Sequence, residues 1–105
     1  MINKLKLMTD YDCFPLWETS NGGVENIAPN SLKISEELIK SLYRWAAAYD
    51  ATLNQDYPPD SGFATEEELE NFEKEGRKIF NELRHQLKNR FEYSYYSQKE
   101  SKLHK

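Results

Sequence analysis

The chain has 105 residues, 38% of them apolar, 30% charged and 13% aromatic, with a net charge of −4. That size and balance suit one folded domain around one core, and they exclude a disordered chain or a catalytic domain joined to a regulatory one. Cys13 is the one cysteine, so an intramolecular disulfide and a CxxC zinc half-site are both excluded, and no apolar run approaches the ~20 residues needed to cross a bilayer. The N-terminal stretch is too short and too alternating for a signal peptide, and a cytosolic protein is expected.

The opening Lys4-Leu5-Lys6-Leu7 alternates with period two and predicts an edge strand with its leucines inward. Asp10 to Glu18 and the turn signal Asn21-Gly22-Gly23 then read as an irregular segment, and Pro15 argues against a central strand there. Ser35 caps a first helix that carries Glu36 and Glu37 in its first turn and is expected to run to about Leu53. Its apolar stripe is Leu38, Leu42, Trp45, Tyr49 and Leu53.

Pro58-Pro59 and Ser61-Gly62 form the connection, and Thr65 to Glu68 is a capping box that opens the second helix. That helix turns Leu69, Phe72, Ile79, Leu83 and Leu87 to the core, with Phe80 beside them. Its other face pairs Glu70 with Lys74 and Glu73 with Arg77. Gly76 in mid-helix costs about 1 kcal/mol relative to alanine, which points to a close approach by another backbone. Phe91, Tyr93 and Tyr95 share one face of a last strand able to pair with the first. The expectation is an α+β fold, two antiparallel helices on a small antiparallel sheet of N- and C-terminal strands. One domain is expected over residues 1–96, with a basic, disordered tail over 97–105.

Charge is unevenly spread. Residues 10 to 63 hold nine acids against three bases, and no Lys or Arg falls between Arg44 and Lys74. Such a surface suits a basic partner and not nucleic acid, which needs a clustered basic face. Neither His85, inside the second helix, nor His104, near the C-terminus, is placed to serve a nucleophile, so no catalytic residue is assigned. Cys13 reads as a small buried hydrophobe. Asp10 and Asp12, two apart, are the one pair suited to metal or acid chemistry, but the acids of the 50–60 segment lack EF-hand spacing, and no metal or cofactor is expected. Asp50, Asn54 and Asp60 have a structural reading as caps and turn formers around Pro58-Pro59. Trp45 and Phe63 are assigned to the core.

The sequences Asp10-Tyr11-Asp12, Pro15-Leu16-Trp17 and Trp45 to Phe63 match a DYD, PLW and WAxxYDATLNxDxPxxSGF pattern over roughly residues 5 to 90. In this the chain resembles the immunity proteins of contact-dependent growth inhibition, cytosolic inhibitors of delivered toxin domains. The Lys-rich tail departs from that pattern. The resemblance implies a toxin partner, often a nuclease, bound tightly enough to cover its active site. With the acidic segment, the expectation is a non-enzymatic protein that binds a cognate toxin C-terminal domain, a cationic nuclease and foremost a ribonuclease, and occludes its cleft. A monomer when free and a heterodimer with the toxin are expected. On that reading Asp10, Asp12, Asp50, Asp56 and Asp60 face the partner's bases, and Trp17, Tyr49 and Tyr57 are its aromatic anchors. The competing readings are a small adaptor with another protein partner and a metal-dependent hydrolase using Asp10 or Asp12.

Overall fold

The computed structural model describes residues 2–105. In chain order the elements are β1 (Asn3–Leu7), β2 (Leu16–Ser20), β3 (Gly23–Ile27), α1 (Glu36–Asp50), α2 (Glu66–Leu87), β4 (Phe91–Ser97) and β5 (Lys102–His104). The strands form one five-stranded sheet ordered β3-β2-β1-β4-β5. The fold is α+β, as expected, with two helices on one face of a mixed, mostly antiparallel sheet.

The first strand does pair with β4, and that ladder is the sheet's parallel one, with Leu5 opposite Tyr93 and Leu7 opposite Tyr95. On its other side β1 pairs antiparallel with β2, so it is the central strand and not an edge. Alternation reports which face a side chain takes and says nothing of how many neighbours the backbone has. Leu5 and Leu7 are buried against the helices, and Lys4 and Lys6 emerge on the opposite face.

The segment expected to be irregular instead forms the β2–β3 hairpin. Asn21 and Gly22 both have positive φ, 49° and 79°, and Ser20 pairs with Gly23 around them. This is the two-residue type I′ turn, whose twist matches that of its strands. Pro15 stands one residue before β2, where its missing N–H costs the ladder nothing.

Both helices begin where their caps predict. Ser35 Oγ accepts the Leu38 amide, and Thr65 Oγ1 accepts the Glu68 amide, while Glu68 returns its bond to the Ala64 amide. α1 ends at Asp50, three residues before Leu53, in tightened turns where the Thr52 amide reaches Tyr49 O and the Leu53 amide reaches Asp50 O. Ser35 meets Gln86 at one end of the helix pair and Trp45 stacks on Phe72 near the other, so the helices run antiparallel.

Leu5, Leu7 and Leu16 from the sheet pack with Leu42, Trp45 and Ile79 from the helices, each at most 2% exposed. Burying such a side chain stabilises by about 1.5–3 kcal/mol. Trp45 is in the core as expected, its indole N–H donating to Phe72 O, and Phe63 packs against the same cluster. Gly76 admits a side chain, not a backbone, because the Trp45 ring and the Tyr95 hydroxyl lie over it.

The tail over 97–105 is ordered where disorder was expected. β5 pairs antiparallel with β4, with Tyr96 opposite Leu103. Glu70 pairs with Lys99 rather than Lys74, and Arg77 bridges Glu73 and Glu100 at 2.8 and 3.0 Å. Glu73 pairs with Arg77 as expected, yet it is buried, because Tyr95 and Ser97 each donate a 2.8 Å hydrogen bond to its other oxygen.

Candidate partner-binding site

The chain leaves β1 into a turn in which the Cys13 amide returns to Asp10 O and Asp12 takes a left-handed φ of 58°. Aspartate tolerates this conformation better than most residues because its short side chain bonds locally. The Asp10 carboxylate accepts the Tyr11 amide at 2.8 Å, and the Asp12 amide donates to Asp50 Oδ1 at 3.0 Å. The turn is thereby fastened to the last turn of α1.

Tyr11 lies flat on Tyr49, ring centres 4.5 Å apart. The Thr52 hydroxyl gives its one proton to Tyr49 O at 2.6 Å, so in the 2.9 Å contact between Tyr11 and Thr52 the tyrosine is the donor. Burial, followed by the neighbouring Tyr11 and Asp10, pushes the Tyr49 hydroxyl up to about 12. Burial and the charges of Asp10, Asp12 and Asp50 push the Cys13 thiol up as well, which makes it a poor nucleophile. Cys13 is half-buried.

The loop from Thr52 to Gly62 is closed at its base, where the Gly62 amide donates to Thr52 O at 3.0 Å and Ser61 Oγ accepts the Asn54 amide at 2.8 Å. Asn54 Oδ1 accepts the amides of Asp56 and Tyr57, the turn-forming role expected of it. A single 3-10 turn, Pro58–Asp60, completes the tip. Asp56, Tyr57 and Asp60 are exposed there, Tyr57 at 57%.

Of the residues singled out in the sequence, the structure brings together Asp10, Asp12, Tyr49 and Asp50, from segments 38 residues apart. Asp56, Tyr57 and Asp60 stand on the loop that follows them. Trp17 lies elsewhere, on the face of the sheet turned away from the helices, between Lys6 and Asn26, with its indole N–H held by Met8 O at 2.9 Å. Asp50 also has the structural role of holding the Asp12 amide. None of the five aspartates joins an ion pair among the described residues.

Sequence reasoning left Tyr11 unassigned, although its place between Asp10 and Asp12 was the available signal. It also passed over Phe14 and Tyr43, exposed aromatics whose rings meet edge to face at 6.3 Å. Two hollows flank the 52–62 loop. One, of about 850 Å³, lies between the helices with Trp45 and Phe72 among its lining residues; the other, of about 440 Å³, is lined by Tyr11, Tyr49, Phe63 and Glu66. No three His, Cys, Asp or Glu side chains among the described residues are arranged to hold a metal, and no described helix is long and apolar enough to cross a membrane.

Fold and site together define a small α+β protein with two helices on a five-stranded sheet. Residues 3–98 match the family described as Serratia CdiI immunity protein-like, and the chain belongs to that family. A comparison with curated proteins gives no match. Membership agrees with the resemblance carried by the DYD, PLW and YDATLN motifs, and it supports a general role in neutralising a toxin.

Proposed function

We propose that this protein is a non-enzymatic, cytoplasmic immunity protein, a monomer when free, that pairs with a cationic nuclease toxin and covers its substrate cleft. The toxin we favour is a ribonuclease, whose cleft is built to hold phosphates, and Asp10, Asp12, Asp50, Asp56 and Asp60 would present carboxylates to those same bases. Tyr49 and Tyr57, and Trp17 where the contact reaches the sheet, would supply the buried aromatic area that slows release, while the acids speed capture. The observation that carries this reading is the Asp12–Asp50 contact, which gathers the acids of two distant motifs beside the Tyr11–Tyr49 stack in a chain of this family. Affinity capture of the tagged protein from its native host, washed at low and then high salt, tests it. One basic nuclease fragment retained through both washes is the expected result. Recovery of no specific partner, or of an assortment lost at high salt, would overturn it.

A further inference from the structure

The hollow beside the Tyr11–Tyr49 stack has a shape and a charge that select its occupant. Its volume, about 440 Å³, exceeds that of one long side chain, and it opens to solvent between the 52–62 loop and the start of α2. Its lining carries one formal charge, that of Glu66, and no Lys or Arg. Asp10 and Asp50 adjoin it, through the bonds that hold Tyr11 and the Asp10–Cys13 turn.

The helix ends nearby do not reverse this sign. The start of α2 contributes roughly half a positive charge, and the end of α1, beside Tyr49 and Thr52, roughly half a negative one. Glu66, Glu67 and Glu68 in the first turn of α2 leave the balance negative.

The walls are also set in advance. Tyr11 is held by its stack and by its hydroxyl bond to Thr52, and Gln98, another lining residue, donates its amide N–H to Thr9 O at 2.9 Å, leaving its oxygen as an acceptor. A site whose side chains are already fixed loses little entropy on binding.

We propose that this hollow is the socket for one arginine side chain of the toxin, its guanidinium lying against the tyrosines and bonded to Glu66 and Gln98. Arginine fits better than lysine because a planar, weakly hydrated cation stacks on an aromatic face and offers several donors at once. The proposal rests on the immunity reading for the source of the arginine, and its test is independent of the toxin.

N-acetyl-arginine methylamide and N-acetyl-norleucine methylamide would be titrated separately into the ¹⁵N-labelled full chain and amide shifts followed. The arginine compound should shift Tyr11, Tyr49, Gly62 and Glu66, the norleucine compound should not, and Glu66→Lys should weaken the arginine effect at least tenfold. Equal shifts by both compounds, or shifts unchanged by Glu66→Lys in a folded variant, would overturn the socket and leave the immunity reading standing. Tyr11→Phe, which keeps the ring and removes the bond to Thr52, should retain most of the arginine effect. Its loss in a folded Tyr11→Phe variant would contradict the stacking role.

Discussion

A methyl group built on Gly76 would stand 2.6 Å from Cζ2 of Trp45, closer than packed atoms approach. The same methyl would lie 2.7 Å from the Tyr95 hydroxyl. The glycine is thus the point at which α1, α2 and β4 meet.

Gly76→Ala is therefore expected to destabilise the protein, although alanine is the better helix former. The propensity gain is about 1 kcal/mol and overpacking a core costs about 1–3 kcal/mol, so the net loss is up to about 2 kcal/mol. A lower urea midpoint with an unchanged slope would show this. A higher midpoint would mean that the Trp45 ring can withdraw freely.

Glu73 ties the helix layer to the last long strand through Tyr95, Ser97 and Arg77. Glu73→Ala leaves two buried hydroxyls without their acceptor and should cost about 2–4 kcal/mol, on the order of 1–3 for unsatisfied buried groups plus the vacated volume. Most of the loss should be recovered by the triple change Glu73→Leu, Tyr95→Phe, Ser97→Ala, which removes both sides of the interaction. Thermal unfolding of the two variants compares them.

The tyrosines set the alkaline limit. Burial, followed by the bond to Glu73, pushes the Tyr95 hydroxyl well above its ordinary value of 10.0, and Tyr49 is pushed up to about 12. Folded values above unfolded ones contribute stability that is full below pH 10 and is lost as pH rises toward the folded values. Unfolding midpoints should be level in this respect up to about pH 10 and fall steeply above it. Absorbance at tyrosinate wavelengths should show a late-ionising component that Tyr49→Phe reduces.

β5 is fastened by exposed charges. Lys99 meets Glu70, Arg77 meets Glu100 at 3.0 Å, and His104 meets Glu100 at 2.9 Å. The hydrogen bond from His104, with the charges of His104 and Arg77, holds the Glu100 carboxyl below its ordinary value of 4.5. A depressed carboxyl contributes stability above its unfolded pKa and loses it as pH falls through the folded one. Salt screens such pairs over about 3 Å at 1 M. Protection of the β5 amides from hydrogen exchange, taken relative to the free-chain rate at the same pH, should fall at high salt and below pH 4.5, while the β1 amides stay protected.

The capping residues Ser35 and Thr65, and the stripe from Leu38 to Trp45, are local patterns, and the helices were legible from them. The hairpin signal Asn21-Gly22 was visible as a turn, but the flanking Glu18, Glu25 and Asn26 hid the strands, whose faces are largely polar. The central place of β1 and its parallel register with β4 depend on pairings about 88 residues apart, Asn3 with Phe91 and Leu7 with Tyr95, for which no local pattern exists. Glu73 looked like one half of a surface pair because its burial comes from Tyr95 and Ser97, 22 and 24 residues away. The tail's lysines resembled a solvated end, but Glu70 pairs with Lys99 and β4 supplies a ladder for β5. At the site, the composition showed the acids and the aromatics. Their assembly came only with the turn that places Asp12 on Asp50 and Tyr11 on Tyr49, and with the alternation that sends Trp17 to the other face of the sheet.

The central claim is that the exposed acids of the 52–62 loop hold a basic toxin, and Asp56→Lys with Asp60→Lys tests it most directly, since neither side chain is buried or paired. The affinity of the double variant for the captured toxin domain would be measured by calorimetry at fixed salt, with circular dichroism to establish folding. The account predicts a Kd roughly 100-fold higher, about tenfold per reversed charge at 1.4 kcal/mol each. An unchanged Kd in a folded double variant would contradict it.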